Sequence, residues 1–274
     1  MNEGDNDGVR YQWISFTTDY GLADGFVAAC HGVIATTSPG ARIIDVTHQV
    51  APQHVRRGAV AIAQTVPYLP ESVHLAVVDP GVGTTRRGIV VEALDGLLVG
   101  PDNGLLPPAA DALGGIRAAY ELVEPAYRLA TTSATFHGRD VFAPAAAHLA
   151  RGVAPAEFGP ELAELVRLPD PEVVARPGRL RAEVLTVDGF GNVALAATQE
   201  HLTRAELSGT VHVQCGGVTM VGRVGRTFGD VADGALVFYS DSSACPTVAV
   251  NGGSAAEALG LRHGESATVE ITAS

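Results

Sequence analysis

Cysteine, basic charge and long apolar runs are all scarce in this chain, and each scarcity closes off a class of protein. Three cysteines, Cys30, Cys215 and Cys245, lie far apart without a CxxC pair. That spacing implies neither a disulfide framework nor a zinc knuckle, and it fits a reducing compartment. Lysine and arginine total 18 against 30 aspartates and glutamates, and no basic run could follow a phosphate backbone. Nucleic acid is therefore not an expected partner. No apolar run nears the ~20 residues of a membrane span. The opening MNEGDNDGVRYQ is acidic and polar where a secretory leader is basic and then apolar. A cytoplasmic protein with no membrane partner is expected.

What the chain does hold is apolar substance. Its 274 residues are 46% hydrophobic, enough to bury a core in one large or two ordinary domains. The first two thirds alternate strand-like and helix-like segments. WISFTTDYG reads as a short strand ending at Asp19, and the following segment has Phe26, Ala29, Val33 and Ile34 at helical spacing. ARIIDVTH is a second strand ending near Asp45 and His48, and HVRRGAVAIAQTVPYLP a second helix stopped by Pro67. A third apolar run, Leu75 to Val78, stops at the turn Asp79-Pro80-Gly81. This order predicts an α/β domain over residues 13–168, Rossmann-like, with a mainly parallel sheet. Ligands of such sheets bind beyond the carboxyl ends of the strands, where Asp19, Asp45 and Asp79 fall together.

Residues 169–181, LPDPEVVARPGRL with its flanks, carry three prolines and a glycine and read as an interdomain linker. Beyond them, over 182–274, come β-type runs without long helical segments, which predict a smaller antiparallel β-barrel domain.

Taken singly, the polar residues of these segments have ordinary explanations. An aspartate after a strand caps the next turn, and spacing alone does not separate Arg86 from its neighbour Arg87. His137 precedes a helix in a glycine-containing turn, while Asp188 and Asn192 in VDGFGNV suit a hairpin. Glycines 81 and 83 are too few for a dinucleotide fingerprint.

In series, TTDYGLADGFV, IIDVTHQVAPQHVRRGA, VVDPGVGTTRRGIVVEA, VGPDNGLL, TFHGRDVFAPAAAHLA, VDGFGNV and SDSSACPTVAVNGGSAA run through nearly the whole chain. Together they resemble the adenosine-forming S-adenosyl-L-methionine (SAM) hydrolases, the SAM hydroxide adenosyltransferase family, whose cousins are the fluorinases and chlorinases. The resemblance implies an α/β domain followed by a β-barrel, and a homotrimer with active sites at subunit interfaces. It implies a small-molecule substrate, SAM, with no cofactor and no metal.

Residue by residue, the resemblance makes Asp79, Arg86 and His137 the groups that hold and activate water, and leaves Arg87 a bystander. Asp19 would hold the ribose hydroxyls, Asp24 and Asp188 the amino-acid end, and Asn192 and the backbone at Gly252 the adenine. Ser242 and Ser243 would meet the methionine carboxylate, Phe136 would form an apolar wall, and Asn103 joins the substrate-binding set. The halogenating cousins have Tyr where this chain has Asp79 and a Tyr-Ser pair in place of His137-Gly138, so the differences point to water as nucleophile. Gln53 stands where an aromatic residue is usual, and Ser243 where the fluorinase has Arg.

Two other classes use the same residues. Asp19, Asp45, His48, Asp79 and His137 near strand ends would also suit a divalent-metal phosphatase acting on nucleotides, although no tight ligand motif such as HExxH is present. A nucleoside-binding module would need the pocket but not the Asp79, Arg86 and His137 set.

Overall fold

A computed structural model describes residues 9–261 and 267–274. Most of the acidic opening therefore lies outside the described residues. The chain divides into two compact units, Met1–Leu168 and Pro169–Ser274.

In the first unit β1 (Trp13–Thr18), α1 (Phe26–Thr37), β2 (Arg42–Thr47), α2 (Val55–Thr65) and β3 (Ser72–Val77) follow one another as alternating strand and helix. Then come β4 (Gly88–Ala93), β5 (Gly96–Pro101), α3 (Pro107–Ala112), β6 (Ile116–Glu121) and α4 (Ala143–Ala150). The sheet order is β2-β1-β3-β5-β4-β6. Strand β1 runs parallel to β2 and β3, and β3 parallel to β5, while β4 is antiparallel to β5 and β6.

The β3 sequence SVHLAV is buried at all six positions, as a central strand covered on both faces must be. Its side chains alternate between two cores, as the strand period dictates. Leu75 and Val77 join Phe16, Ile34, Phe142 and Leu149 on one face. Ala76 joins Ala59, Ile62, Leu98 and Leu106 on the other. Helix α1 turns Val27, Cys30 and Ile34 inward: Ile34 falls where the sequence spacing put it, and the other two lie one residue after Phe26 and Ala29. Phe26 is left 45% exposed at the helix start. Among the described residues no helix is long and apolar enough to cross a membrane.

In the second unit the strands are β7 (Val173–Arg176), β8 (Arg179–Val187), β9 (Val193–Leu195), β10 (Thr210–Cys215), β11 (Val218–Val224), β12 (Leu236–Ser240), β13 (Pro246–Val250) and β14 (Thr268–Ala273). Helices α5 (Gln199–Ala205) and α6 (Ala255–Ala258) interrupt them. The order β14-β10-β11-β12-β13-β9-β8 closes on itself through β14–β8 pairing, and β7 lies alongside β8. Its interior is filled by Leu180, Val193, Val211, Val213, Phe238, Val248 and Ile271. In β10 burial alternates strictly, one face in and one out.

Two expectations change here. The barrel is not wholly antiparallel, because β11 and β12 pair in parallel, Gly222 opposite Leu236 and Val224 opposite Phe238. The segment 225–235 between them supplies the crossover that a parallel pair requires. The span 169–181 is also not a plain linker. It carries β7 and the start of β8, paired Ala175 to Leu180 and Arg176 to Arg179 around the Pro177-Gly178 turn. Proline and glycine there mark a hairpin, a signal that composition alone does not distinguish from a linker.

Candidate active site

Because β2, β1 and β3 are parallel, their carboxyl ends share one edge of the sheet. Asp19 follows β1 there and Asp79 follows β3. The turn from Asp79 to β4 folds back so that Arg86 meets the carboxylate at its other end. Arg86 donates from Nε to Asp79 Oδ1 at 3.0 Å and from Nη2 to Asp79 Oδ2 at 2.5 Å. The two side chains are 8% and 5% exposed. A buried bidentate pair of this kind fixes both groups in one geometry. Inside the turn, the Thr84 hydroxyl donates to the Gly81 carbonyl and accepts the Arg86 N–H. The Arg86 guanidinium lies 5.2 Å over the Phe142 ring.

The third partner comes from the segment before α4. Arg86 Nη2 lies 3.1 Å from His137 Nδ1. A guanidinium has only donors, so Nδ1 accepts and the imidazole is neutral with its proton on Nε2. Burial and the Arg86 charge both hold the His137 pKa below the ordinary imidazole value. Gly83 brings the two segments together. Its φ is +76°, and a Cβ there would lie 2.5 Å from the Ala134 carbonyl oxygen, so only glycine lets the turn pass under residues 133–137.

Asp140 anchors the same segment. Its carboxylate, fully buried, takes the Arg139 guanidinium and the Ser133 N–H at 2.7 Å. Burial raises its pKa, but these two partners outweigh that and leave it below the ordinary carboxyl value.

Asp19 stands on the adjoining strand end, where its Oδ2 accepts the Gln53 N–H at 2.8 Å. Gln53 donates from left-handed backbone, φ +66°, so its main chain and not its amide serves the site. Burial pushes the Asp19 carboxyl up from its ordinary pKa. An aromatic group completes this edge. Phe136, Phe26 and Tyr20 stand in edge contact, with centroids 5.2 Å apart for Phe26 and Phe136 and 5.7 Å for Tyr20 and Phe136. Sequence reading named Phe136 but missed Phe26, since an aromatic at a helix start reads as core, and Tyr20, which lies in the loop between β1 and α1. Asp24 is exposed in the loop between them.

Asn103 and Arg87 act on the backbone and on a second carboxylate. Asn103 Nδ2 donates to the Val78 carbonyl at 2.8 Å, and its Oδ1 accepts the Leu105 N–H. The residue thus fixes the strand end immediately before Asp79. Arg87 stands apart from the Asp79 set and has a structural partner instead: it pairs with the buried Asp102 through Nε and Nη2 and donates from Nη2 to the Glu164 carbonyl. Asp102 in turn accepts the Val166 N–H.

In the second unit Asp188 closes the hairpin between β8 and β9. Its Oδ1 accepts the Phe190 and Asn192 N–H groups at 2.9 Å each, and its Oδ2 the Asn192 amide at 2.7 Å. The two predicted residues are therefore partners of each other, beside a hollow of about 340 Å³ lined also by Phe190, Ser254 and Glu257. Ser242 and Ser243 are exposed in the turn after β12, which Asp241 organises by accepting the Ser243 and Cys245 N–H groups. Burial, with Asp241 and Asp188, raises the Tyr239 pKa. Gly252 is exposed in the turn after β13.

Comparison with known proteins places the chain in a family. The chain matches the SAM hydroxide adenosyltransferase N-terminal domain over residues 14–159 and the C-terminal domain over 182–268. It is 59% identical to an (R)-S-adenosyl-L-methionine hydrolase of Salinispora tropica, over 92% of this chain and 95% of that protein. A Thermus thermophilus protein of the same name is 46% identical over 92% of this chain and 96% of its own length. The crystal structure of an uncharacterized conserved protein from Thermotoga maritima superposes with a TM-score of 0.86 at 35% identity, over 94% of this chain and 99% of that one. By both domains and over most of its length, the chain belongs to the SAM hydroxide adenosyltransferase family.

Proposed function

We propose that the protein hydrolyses S-adenosyl-L-methionine to adenosine and L-methionine, by attack of water at the 5′ carbon of the ribose. The observation that carries this reading is the buried Asp79–Arg86 pair beyond the end of β3 with the half-buried His137 held against it, in a chain of this family. The sulfonium departs as neutral thioether and needs no general acid. Only the nucleophile needs help, since bulk water has a pKa near ~15.7. A positioned base contributes about 10²–10⁴-fold.

The hydrogen bonds divide the labour. His137 presents Nε2–H as a donor, its Nδ1 being held by Arg86. Each Asp79 oxygen accepts one guanidinium N–H and keeps further acceptor capacity, so Asp79 is the group that takes up the water proton. Arg86 stabilises developing hydroxide. Asp19 and the Tyr20, Phe26 and Phe136 rings hold the adenosyl part, while Asp24, Asp188, Asn192, Ser242, Ser243 and the backbone at Gly252 complete the substrate contacts.

The names of the relatives make the reading finer. In (R)-S-adenosyl-L-methionine the L descriptor already fixes the α-carbon, so (R) refers to the sulfonium. Inversion at sulfur exchanges the directions of the methyl and the aminocarboxypropyl arm, so a site built for one epimer misplaces the other. We take the (R) epimer as the preferred substrate. The enzyme works without cofactor or metal, in the cytoplasm, as a homotrimer whose sites each draw on two subunits. The trimer follows from the family resemblance, and the scarce cysteines support the reducing compartment.

The test is incubation of purified protein with each SAM epimer, with and without EDTA, followed by chromatography. Adenosine and methionine in equal amounts, unaffected by EDTA and faster from the (R) epimer, are expected. Loss of activity on chelation, restored by a divalent ion, would transfer the assignment to the metal-dependent class. For the assembly, Asp79→Ala and Asp188→Ala subunits are mixed. Recovered activity supports a shared site, and hybrids that form without activity place the site within one chain.

A further inference from the structure

Away from the Asp79 set, His31 of α1, Asp45 of β2 and His48 just after β2 converge. Asp45 Oδ1 lies 2.9 Å from Nε2 of both imidazoles. The three ligand atoms all lie within 4.8 Å of one another. We propose that these three side chains form a site for a late first-row divalent cation, of the zinc or cobalt class, that stiffens the loop following β1.

The donor set suits that class. Two imidazoles and one carboxylate, with a fourth position open to water, are a common zinc set, and imidazole favours zinc, cobalt, nickel and copper over calcium or magnesium. Metal–nitrogen and metal–oxygen bonds of about 2.0–2.2 Å put neighbouring ligand atoms roughly 3.3 Å apart in a tetrahedral set. The two hydrogen-bonded separations to Asp45 therefore open by a few tenths of an ångström, and the two imidazole nitrogens, within 4.8 Å of each other, are drawn onto the ion by side-chain rotation of the partly exposed His31.

Second contacts are already in place. His48 is nearly buried, and its Nδ1 lies 2.9 Å from the Thr18 hydroxyl. Without metal, Nε2–H donates to Asp45 and Nδ1 accepts from Thr18. With metal on Nε2, the proton moves to Nδ1 and the bond to Thr18 reverses, so a neutral imidazole changes only its tautomer. An imidazole ligand oriented by a second group in this way binds metal more tightly. The Phe16 ring packs 4.9 Å from His48 and 5.9 Å from His31, giving the site an apolar floor. Asp45 and His31 are partly exposed, 43% and 33%, which leaves a way in.

The site holds the loop from two sides. Thr18 Oγ1 also accepts the Tyr20 N–H, and the His48 carbonyl accepts the Gly21 N–H at 2.7 Å. Asp19 and Tyr20 lie between these bonds, so the cation secures the loop without touching the reacting water.

The experiment uses the full chain stripped of metal with chelator. Cobalt(II) is titrated and visible d–d absorption is read, alongside the melting temperature. One equivalent of cobalt should give tetrahedral-type bands and a higher melting temperature, and zinc should displace it. His31→Ala and Asp45→Asn, both at partly exposed positions, should remain folded by circular dichroism and bind cobalt on the order of 100-fold more weakly, at the upper end of the about 10–100-fold typical of second contacts. Metal-free His31→Ala should hydrolyse SAM as the metal-free wild type does. Absence of saturable bands, or bands that persist unchanged in both variants, would overturn the site.

Discussion

Arg86 and Arg87 are adjacent in the chain yet bind different carboxylates, Arg86 the buried Asp79 and Arg87 the buried Asp102. The first pair faces His137, and the second fastens the backbone at Glu164 and Val166. One residue of spacing thus separates a chemical role from a structural one, as the alternation of side chains entering β4 requires.

Exchanging the two roles by mutation should separate two readouts. Arg87→Ala should keep the rate with bound substrate near wild type and lower stability by about 2 kcal/mol. Loss of one partner of a buried pair costs about 3–5 kcal/mol, and Arg87 is itself 36% exposed. Arg86→Gln should instead reduce turnover strongly. Urea unfolding and single-turnover rates on both variants decide it; a slow Arg87 variant of normal stability would reverse the assignment.

His137 gives the rate its acid limb. The neutral imidazole accepts from Arg86, and its pKa lies below the ordinary 6.5. Protonation puts a donor against the guanidinium, so turnover should hold as pH falls to 6.5 and drop only at lower pH. In His137→Asn that limb should vanish on a much lower plateau. Asp79→Asn and His137→Asn should lower kcat and kcat/KM together while SAM binding persists. Their losses should be less than additive, because groups that hold one water fail as a unit. Calorimetric titration with pH–rate profiles checks this, and variants that lose binding but turn over bound SAM normally would make the turn a substrate clamp.

The parallel sheet was legible because the apolar run Leu75 to Val78 marks the end of β3 and Asp19 and Asp79 each follow a strand; Asp45, read as ending the second strand, instead lies inside β2 (Arg42–Thr47). Asp79, Arg86 and His137 were legible only through resemblance, since nothing in VVDPGVGTTRR tells Arg86 from Arg87. The identity of Arg87's partner depends on Asp102, which the fold brings across from β5. The barrel's parallel pair was hidden because pairing direction is set by the path of residues 225–235, and alternating burial is the same in either direction. Phe26 was missed for a related reason, since apolar periodicity cannot say which end of a helix meets solvent, and Tyr20 because it lies in the loop between β1 and α1, where no periodicity exists.

Stability should carry a second, separate pH signature, from His74. It is buried within β3, 2.7 Å from the Ser15 hydroxyl through Nδ1, and burial lowers its pKa to about 4. The unfolded chain, with an imidazole near 6.5, binds more protons in the window between those values. Stability is therefore full above pH 6.5 and falls as pH drops towards 4, by roughly 3 kcal/mol in all. Urea midpoints measured across that window should fall less steeply for His74→Gln than for wild type. Equal slopes would assign the acid sensitivity to other groups.

Gly138 is held to glycine by Tyr20. A Cβ on residue 138 would stand 2.0 Å from the Tyr20 hydroxyl oxygen and 3.0 Å from the ring carbon that bears it. Serine at this position would have to displace the partly buried tyrosine, and with it the Phe26 and Phe136 contacts. Gly138→Ser alone should therefore lose stability, on the order of 1–3 kcal/mol as overpacking does, and also turnover, without gaining any halide reaction. Tyr20→Phe removes the closest atom but leaves the ring carbon in near contact. The double variant should then recover part of the stability that Gly138→Ser loses, more than Tyr20→Phe contributes by itself. Melting temperatures of the four proteins, with SAM turnover in the presence and absence of fluoride and chloride, give the answer. Additive effects of the two substitutions would show that Tyr20 does not constrain this position, and a halogenated nucleoside from the single variant would show that the hydroxyl alone sets the choice of nucleophile.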